Sequence, residues 1–184
     1  PTCTITLADN ASGGSSTYSA ALSDVTSDGS RYSLFYIAQV KSGVTTVTAT
    51  FSLNRQGAMV LVEYSGMATS SVLDQTSAIA TGTGTTQTSN SITTTQADAL
   101  LIGFAMQDSH IAAIFAAGTD YGNATNALNV TGGLTVGLED RIVASTGSYT
   151  ATATTTVSCA WDMYVLSFKA LVTATAVPTR RVYV

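Results

Sequence analysis

Apolar and polar residues alternate through most of this chain with a period of two, the repeat of a half-buried strand. The clearest pair of such segments is Thr45–Leu53 and Ala58–Tyr64. In the first, Val47, Ala49 and Phe51 alternate with Thr46, Thr48, Thr50 and Ser52. The second, AMVLVEY, is apolar on both faces, the pattern of a strand covered on both sides. Asn54-Arg55-Gln56-Gly57 between them is polar and ends in glycine. The whole stretch is therefore expected to be a central hairpin with the other strands laid around it.

The same alternation predicts strands over Pro1–Ala8, Tyr18–Leu22, Arg31–Val40, Leu134–Ala144 and Ser148–Val157. Ala99–Met106 (ALLIGFAM) and Ala160–Ala170 (AWDMYVLSFKA) are apolar on both faces and belong in a core. Met67–Ser91 is a long polar stretch whose composition suits a linker and whose threonines suit edge strands. Gln107–Ala117 fits a short helix or an irregular strand, and Gly118–Gly133, with Asn123, Asn126 and Asn129, reads as a loop. About a dozen short strands and no amphipathic helix define an all-β, jelly-roll-like sandwich of two sheets. It is expected as one domain over residues 1–170, with a β-prone tail at 171–184. The expected core contains Val60, Val62, Ala99–Phe104, Val165 and Leu166.

Charged residues make up 10% of the chain, against the usual ~25%, while Thr (32) and Ser (21) fill their place. A hydroxyl-rich surface of this kind suits contact with protein or glycan, since little charge has to be desolvated. Net charge is −4 and no basic stripe exists, which argues against nucleic acid as a partner. No apolar run approaches ~18 residues, so no membrane span is expected. The chain begins at Pro1 rather than Met, as expected of a protein whose leader has been removed or of a fragment.

Cys3 and Cys159 have no metal-type spacing. An even count in a Thr-rich, Lys-poor chain points to an oxidising compartment and a Cys3–Cys159 disulfide, against the alternative of two small buried hydrophobes.

Five pieces then fall in order over about Ser27–Ala170: VKSGVTTVTATFS, VEYSGMATSSVLD, SITTTQADALLIG, EDRIVASTGSYTATAT and WDMYVLSFKA. Together they resemble a jelly-roll, lectin-like β-sandwich module that recurs in bacterial secreted and surface proteins. The resemblance implies an accessory module of an extracellular protein and carries no catalytic residues. The chain departs from that pattern at Tyr18–Leu22, where a longer apolar strand belongs, and at LVTATAVPTRRVYV, which the module does not need.

No motif points to catalysis, a cofactor or a metal. Glu63 lies in an apolar strand: a buried general acid is the functional reading, and pairing with Arg141 or a place at the end of a sheet the plain one. Glu139 and Arg141 share a strand face and suggest an ion pair, with Asp140 turned to the other face. His110, the only histidine, has Asp108 and Ser109 beside it but no G-x-S-x-G elbow accompanies it. Asp9, Asp24, Asp28, Asp108 and Asp120 read as turn aspartates without calcium-loop spacing. Asn10, Asn123 and Asn129 open N-x-[ST] sequons in expected loops and are candidate glycosylation positions. Trp161 does not share a strand face with Tyr164 or Phe168, which favours core packing over a sugar platform.

The tail places Val172, Ala174, Ala176, Val182 and Val184 on one parity, with no evident use in a finished sandwich. A domain short of an early strand and long by a late one suggests strand addition between subunits, by the tail or by Pro1–Ala8. The expected function is thus a non-enzymatic structural subunit of an extracellular or cell-surface filament, formed by self-association. The alternative is a carbohydrate-binding or adhesion module with a glycan partner.

Overall fold

The computed structural model describes residues 3–27, 30–108, 114–129, 133–171 and 179–183. These residues form fifteen strands and no helix, the all-β architecture expected of a sandwich. The chain divides into two compact units, residues 1–55 and 56–184. The boundary falls inside Asn54–Gly57, which is not the turn of a hairpin: the strands on its two sides pair elsewhere.

The first unit holds β1 (Ile5–Asp9), β2 (Ser19–Ser27), β3 (Ser30–Tyr36) and β4 (Val47–Phe51). β1 and β4 are antiparallel, with Ile5 opposite Phe51, Leu7 opposite Ala49 and Asp9 opposite Val47. Directly opposed residues point to the same side, so the two alternating patterns combine into one apolar face. β2 and β3 form a second antiparallel pair. Asp9 knits the loop after β1. Its Oδ1 accepts the N–H groups of Ala11 at 3.0 Å and Ser16 at 3.1 Å, and its Oδ2 accepts the Tyr18 hydroxyl at 2.9 Å. Contact with Ser16 foremost holds the Asp9 carboxyl down to about 2, with help from Ala11 and Tyr18 and against the cost of burial. Burial and the Asp9 carboxylate push the Tyr18 phenol up to about 12.

The second unit holds β5 (Leu61–Ser65), β6 (Leu73–Thr76), β7 (Ala80–Thr88), β8 (Ile92–Thr93), β9 (Ala99–Asp108) and β10 (Phe115–Ala117). It continues with β11 (Gly122–Asn129), β12 (Leu134–Val143), β13 (Ser148–Tyr149), β14 (Thr152–Phe168) and β15 (Thr179–Tyr183). β14 is its spine, 17 residues long. The C-terminal half of β14 pairs with β9 on one side and with β7 and β6 on the other, and beyond β9 the sheet runs on through β12 to β11. Its N-terminal half pairs with β10 and with the end of β7.

Between these halves the register against β7 slips: Thr154 lies opposite Thr86, but Cys159 lies opposite Gly84. Four residues of β14, Thr155–Ser158, stand against Thr85 alone and bend the strand, and Gly84 follows on β7 with φ of 146°, a value that L side chains rarely adopt. Both strands turn a corner here and pass into a second layer. That layer folds back over the first. A Cβ on Gly103 of β9 would lie 2.9 Å from the Ala151 side chain, and one on Gly137 of β12 would strike the Phe115 ring.

The core sits between the layers. Ala99, Leu101 and Ala105 of β9, Met163 and Val165 of β14 and Val143 of β12 meet Ala151, Ala153, Phe115, Ile92 and Tyr121. Leu100, Ile102, Phe104, Met106, Tyr164, Leu166 and Phe168, on the sheet's other face, are buried as well. Ala99–Phe104, Val165 and Leu166 thus belong to the core as expected. Val60 and Val62 are only half-buried, because AMVLVEY is not central: among the described strands β5 pairs with β15 alone, in a two-stranded ribbon.

Two open readings resolve to strand, and one expectation changes. The polar Met67–Ser91 stretch supplies β6 and β7, where glycine and threonine take the places of apolar residues. β9 runs into Gln107–Ala117 and β10 closes it, so the described ends of that stretch are strands. The Asn-rich Gly118–Gly133 stretch contains β11 against β12. An edge strand accepts the polar side chains that marked it as a loop.

Candidate functional site

The chemistry of the second unit gathers on Glu139-Asp140-Arg141 of β12. Strand alternation sends Asp140 to one face and Glu139 and Arg141 to the other. Asp140 is buried, at 7% exposure. Its Oδ2 accepts the Tyr64 hydroxyl of β5 at 2.8 Å and lies 3.2 Å from Arg180 Nε of β15. Arg180 Nη2 donates to Thr125 Oγ1 of β11 at 2.7 Å. Side chains from β5, β11 and β15 therefore converge on one carboxylate or its guanidinium partner. Burial, together with the Asp140 charge and hydrogen bond, pushes the Tyr64 phenol well above its ordinary range, against the pull of Arg180. Tyr64 consequently remains a donor.

On the opposite face Glu139 is fully buried. Its Oε2 accepts the Gly118 N–H at 2.8 Å, while Oε1 has no hydrogen-bond partner. Glycine makes the space. Gly103 lies directly across on β9, and a Cβ there would come within 2.6 Å of Glu139 Cγ. A Cβ on Gly118 would overlap the Thr152 carbonyl. Burial raises the Glu139 carboxyl to about 7; the Gly118 N–H opposes this and the Asp140 charge adds to it.

The expected Glu139–Arg141 and Glu63–Arg141 pairs do not form. Arg141 lies 3.4 Å from Asp120 and over the Tyr149 ring, while Glu63 lies opposite Arg181 in the β5–β15 register. An adjacent buried partner for Glu139 would have had to fit where the glycines admit only its own side chain. Glu139 and Asp140 point to opposite faces, so they do not form an acid–base pair across one substrate.

The other sequence-derived positions scatter. Cys3 and Cys159 are buried thiols, and the expected disulfide is not present. Cys3 precedes β1 in the first unit and Cys159 sits at the corner of β14, each filling a small buried position. In denaturant without reductant, a maleimide is expected to label both. A chain that takes up two labels only after reduction would restore the bridge.

Asn10 is exposed, but its side chain is engaged: Nδ2 donates to Thr45 Oγ1 at 2.8 Å, and Oδ1 accepts the N–H groups of Thr45 at 2.9 Å and Thr46 at 3.0 Å. The nitrogen that would carry a glycan thus clamps two segments of the first unit together. Asn10→Ala is expected to cost about 1 kcal/mol in urea unfolding. A cost near zero, with a glycan mass on the native protein, would reverse that reading.

Asn123 and Asn129 lie in strand β11 rather than in loops. Val182 lies opposite Val62, whereas Val172, Ala174, Ala176 and Val184 fall outside the described residues, as does His110. Tyr164 and Phe168 are buried on the face away from Trp161, as alternation requires. Among the described residues no group of three or more His, Cys, Asp or Glu is placed to hold a metal ion. No described helix is long and apolar enough to cross a membrane. No protein family, curated protein or solved structure matches the chain.

The link from Arg180 to Asp140 was not foreseen from sequence. Its signal was present in two separate places: charges inside an otherwise apolar strand, and a basic residue in an otherwise apolar tail. Nothing local connects the two.

Proposed function

We propose that the protein is a structural subunit of an extracellular filament or surface assembly, and that β15 joins one copy to the next. The observation that carries this reading is the ribbon of β5 and β15. Among the described strands β15 pairs with β5 alone, in the register Thr179 opposite Ser65 to Tyr183 opposite Leu61. Arg180 adds a specific anchor in the Asp140–Thr125 site. A strand with one partner and one anchor can be supplied equally by a neighbouring copy, with every bond of the ribbon kept. Exchange from head to tail does not close on itself and yields a filament. The weakly charged, hydroxyl-rich composition and the resemblance to secreted β-sandwich modules support the extracellular setting.

The test uses the full chain with Val62→Cys and Val182→Cys, opposed in the ribbon, and with Cys3 and Cys159 replaced by alanine. Oxidation is expected to give a covalent ladder on a non-reducing gel, and deletion of residues 179–183 to abolish both ladder and polymer. Cross-linked monomer alone, at concentrations where native material is polymeric, would overturn the proposal.

A further inference from the structure

Glu139 extends from β12 into the space between the two layers and ends against the corner that joins β10 to β11, residues Gly118–Tyr121. Its Oε2 accepts the Gly118 N–H at 2.8 Å. Its Oε1 has no hydrogen-bond partner, and a Cβ on Gly103 would lie 2.6 Å from that oxygen and 2.9 Å from the Ala151 Cβ. The orphan oxygen is thus held over the backbone of β9, beside an alanine methyl.

The corner is lightly built. The Gly118 carbonyl accepts the Tyr121 N–H at 3.2 Å, and Asp120 between them has φ of 68°. The Tyr121 ring belongs to the interlayer core, and its hydroxyl donates to the Thr150 carbonyl at 3.1 Å. β10, which leads into the corner, has three residues and pairs with β14 alone among the described strands. Ala117 and Gly118 are half-buried, and Thr119 and Asp120 are exposed. On its other sides the carboxyl meets β9 and β14, each paired along both edges. The corner is therefore the thinnest cover between Glu139 and water.

No cation faces the carboxyl alone. Arg141, two residues along β12, lies 3.4 Å from Asp120 and over the Tyr149 ring, and that ion pair is solvent-exposed and weak. Tyr121 is a phenol, and Asp140 is a like charge on the strand's other face. Leu101, Gly103 and Ala105 of β9, Phe115 and Ala117 of β10 and Ala151–Ala153 beside them on β14 carry no charge. Burial outweighs the Gly118 and Thr152 N–H groups, which favour ionisation, and with the Asp140 charge it raises the carboxyl to about 7.

We propose that Glu139 is a proton-operated latch on the Gly118–Tyr121 corner. Protonated, the carboxyl is neutral and the corner closes over the interlayer core. Ionised, it draws water, and the corner lifts, because this hydrates Oε1 without parting β9 from β12. The closed corner holds a proton that the open one releases, so opening is favoured as pH rises. The open state uncovers Tyr121, and the device works whether or not copies assemble.

The test is native-state amide hydrogen exchange by NMR on the full chain, with carbon-labelled glutamate reporting the Glu139 carboxyl directly. Protection of the Gly118 and Tyr121 N–H groups, corrected for intrinsic exchange, is expected to fall on the order of a hundredfold between pH 4.5 and 7. In low urea their exchange should not respond to denaturant, as suits a local opening, while the buried Val165 N–H follows global unfolding. Glu139→Gln keeps an acceptor for Gly118 and is expected to remove the pH dependence. Should that variant not fold, the wild-type carboxyl signal serves instead, since it should titrate in step with the loss of protection. The proposal is overturned if Gly118 exchanges only through global unfolding, or if its protection is flat over this range. A carboxyl that titrates in the ordinary range, or a folded Glu139→Gln that keeps the pH dependence, overturns it equally.

Discussion

Asp140→Ala is expected to destabilise the second unit by about 3–5 kcal/mol, the range for removing one member of a buried ion pair. The loss has two parts. Arg180, whose side chain is only 11% exposed, is left with its charge beside an apolar methyl. The Tyr64 hydroxyl loses its acceptor at the same time. Asp140→Asn keeps an acceptor for Tyr64 without the charge, so it should cost clearly less. The midpoint of urea unfolding reads the difference, with the slope held unchanged. Limited proteolysis adds a second readout: release of the Arg180 anchor should open β15 to cleavage before the rest of the unit opens. A loss below ~1 kcal/mol in Asp140→Ala would mean that Arg180 finds solvent easily and anchors nothing.

Glu139 should make stability fall as pH rises from 4.5 towards 7. Its carboxyl is raised from 4.5 to about 7 in the fold, so the folded protein holds a proton that the unfolded chain has released. Below 4.5 both states are protonated and the contribution is fully present. Through the window it is progressively lost, and above about 7 both states are ionised and no more is lost. A shift of that size corresponds to about 3 kcal/mol across the window. The groups around Glu139 are Tyr121, Arg141 with its partner Asp120, and Asp140 on the strand's other face. Asp9 acts with the opposite sign and elsewhere on the scale. Its depressed carboxyl supports the fold above its ordinary 3.8 and loses that contribution as pH falls through about 2. Glu139→Gln should flatten the profile between 4.5 and 7 while leaving the acid limb in place. A wild-type profile already flat in that window would refute the buried, protonated carboxyl.

Strand content was legible because period-two alternation is a local property. ALLIGFAM and WDMYVLSF carry their burial on both faces in their own composition, and both are core strands. Pairing was not legible. Consecutive strands neighbour each other about two-thirds of the time, which made TTVTATFSL and AMVLVEY look like a hairpin. Their actual partners, β1 and β15, are named by nothing in either segment. The same limit applies to the site. Alternation placed Asp140 on the face opposite Glu139 and Arg141, but the partners depend on distant residues. Gly103 and Gly118, which make room for the Glu139 side chain, and Arg180, which reaches Asp140, lie on other strands. Gln87 sits in TGTGTTQTS, a stretch whose composition hides a buried position, because its neighbours are small or polar on both faces.

The ribbon of β5 and β15 also sets an order of events at the ribosome. β5 emerges early in the second unit, and its partner is the last strand described in the chain. At ~5–20 residues per second, β5 waits on the order of ten seconds with its backbone groups unmet. During that interval its open edge is available to any extended chain, including β5 or β15 of a sister copy on the same message. If copies exchange β15 as proposed, the first strand to arrive becomes the partner, and local crowding of nascent chains then sets how often β15 closes on its own copy.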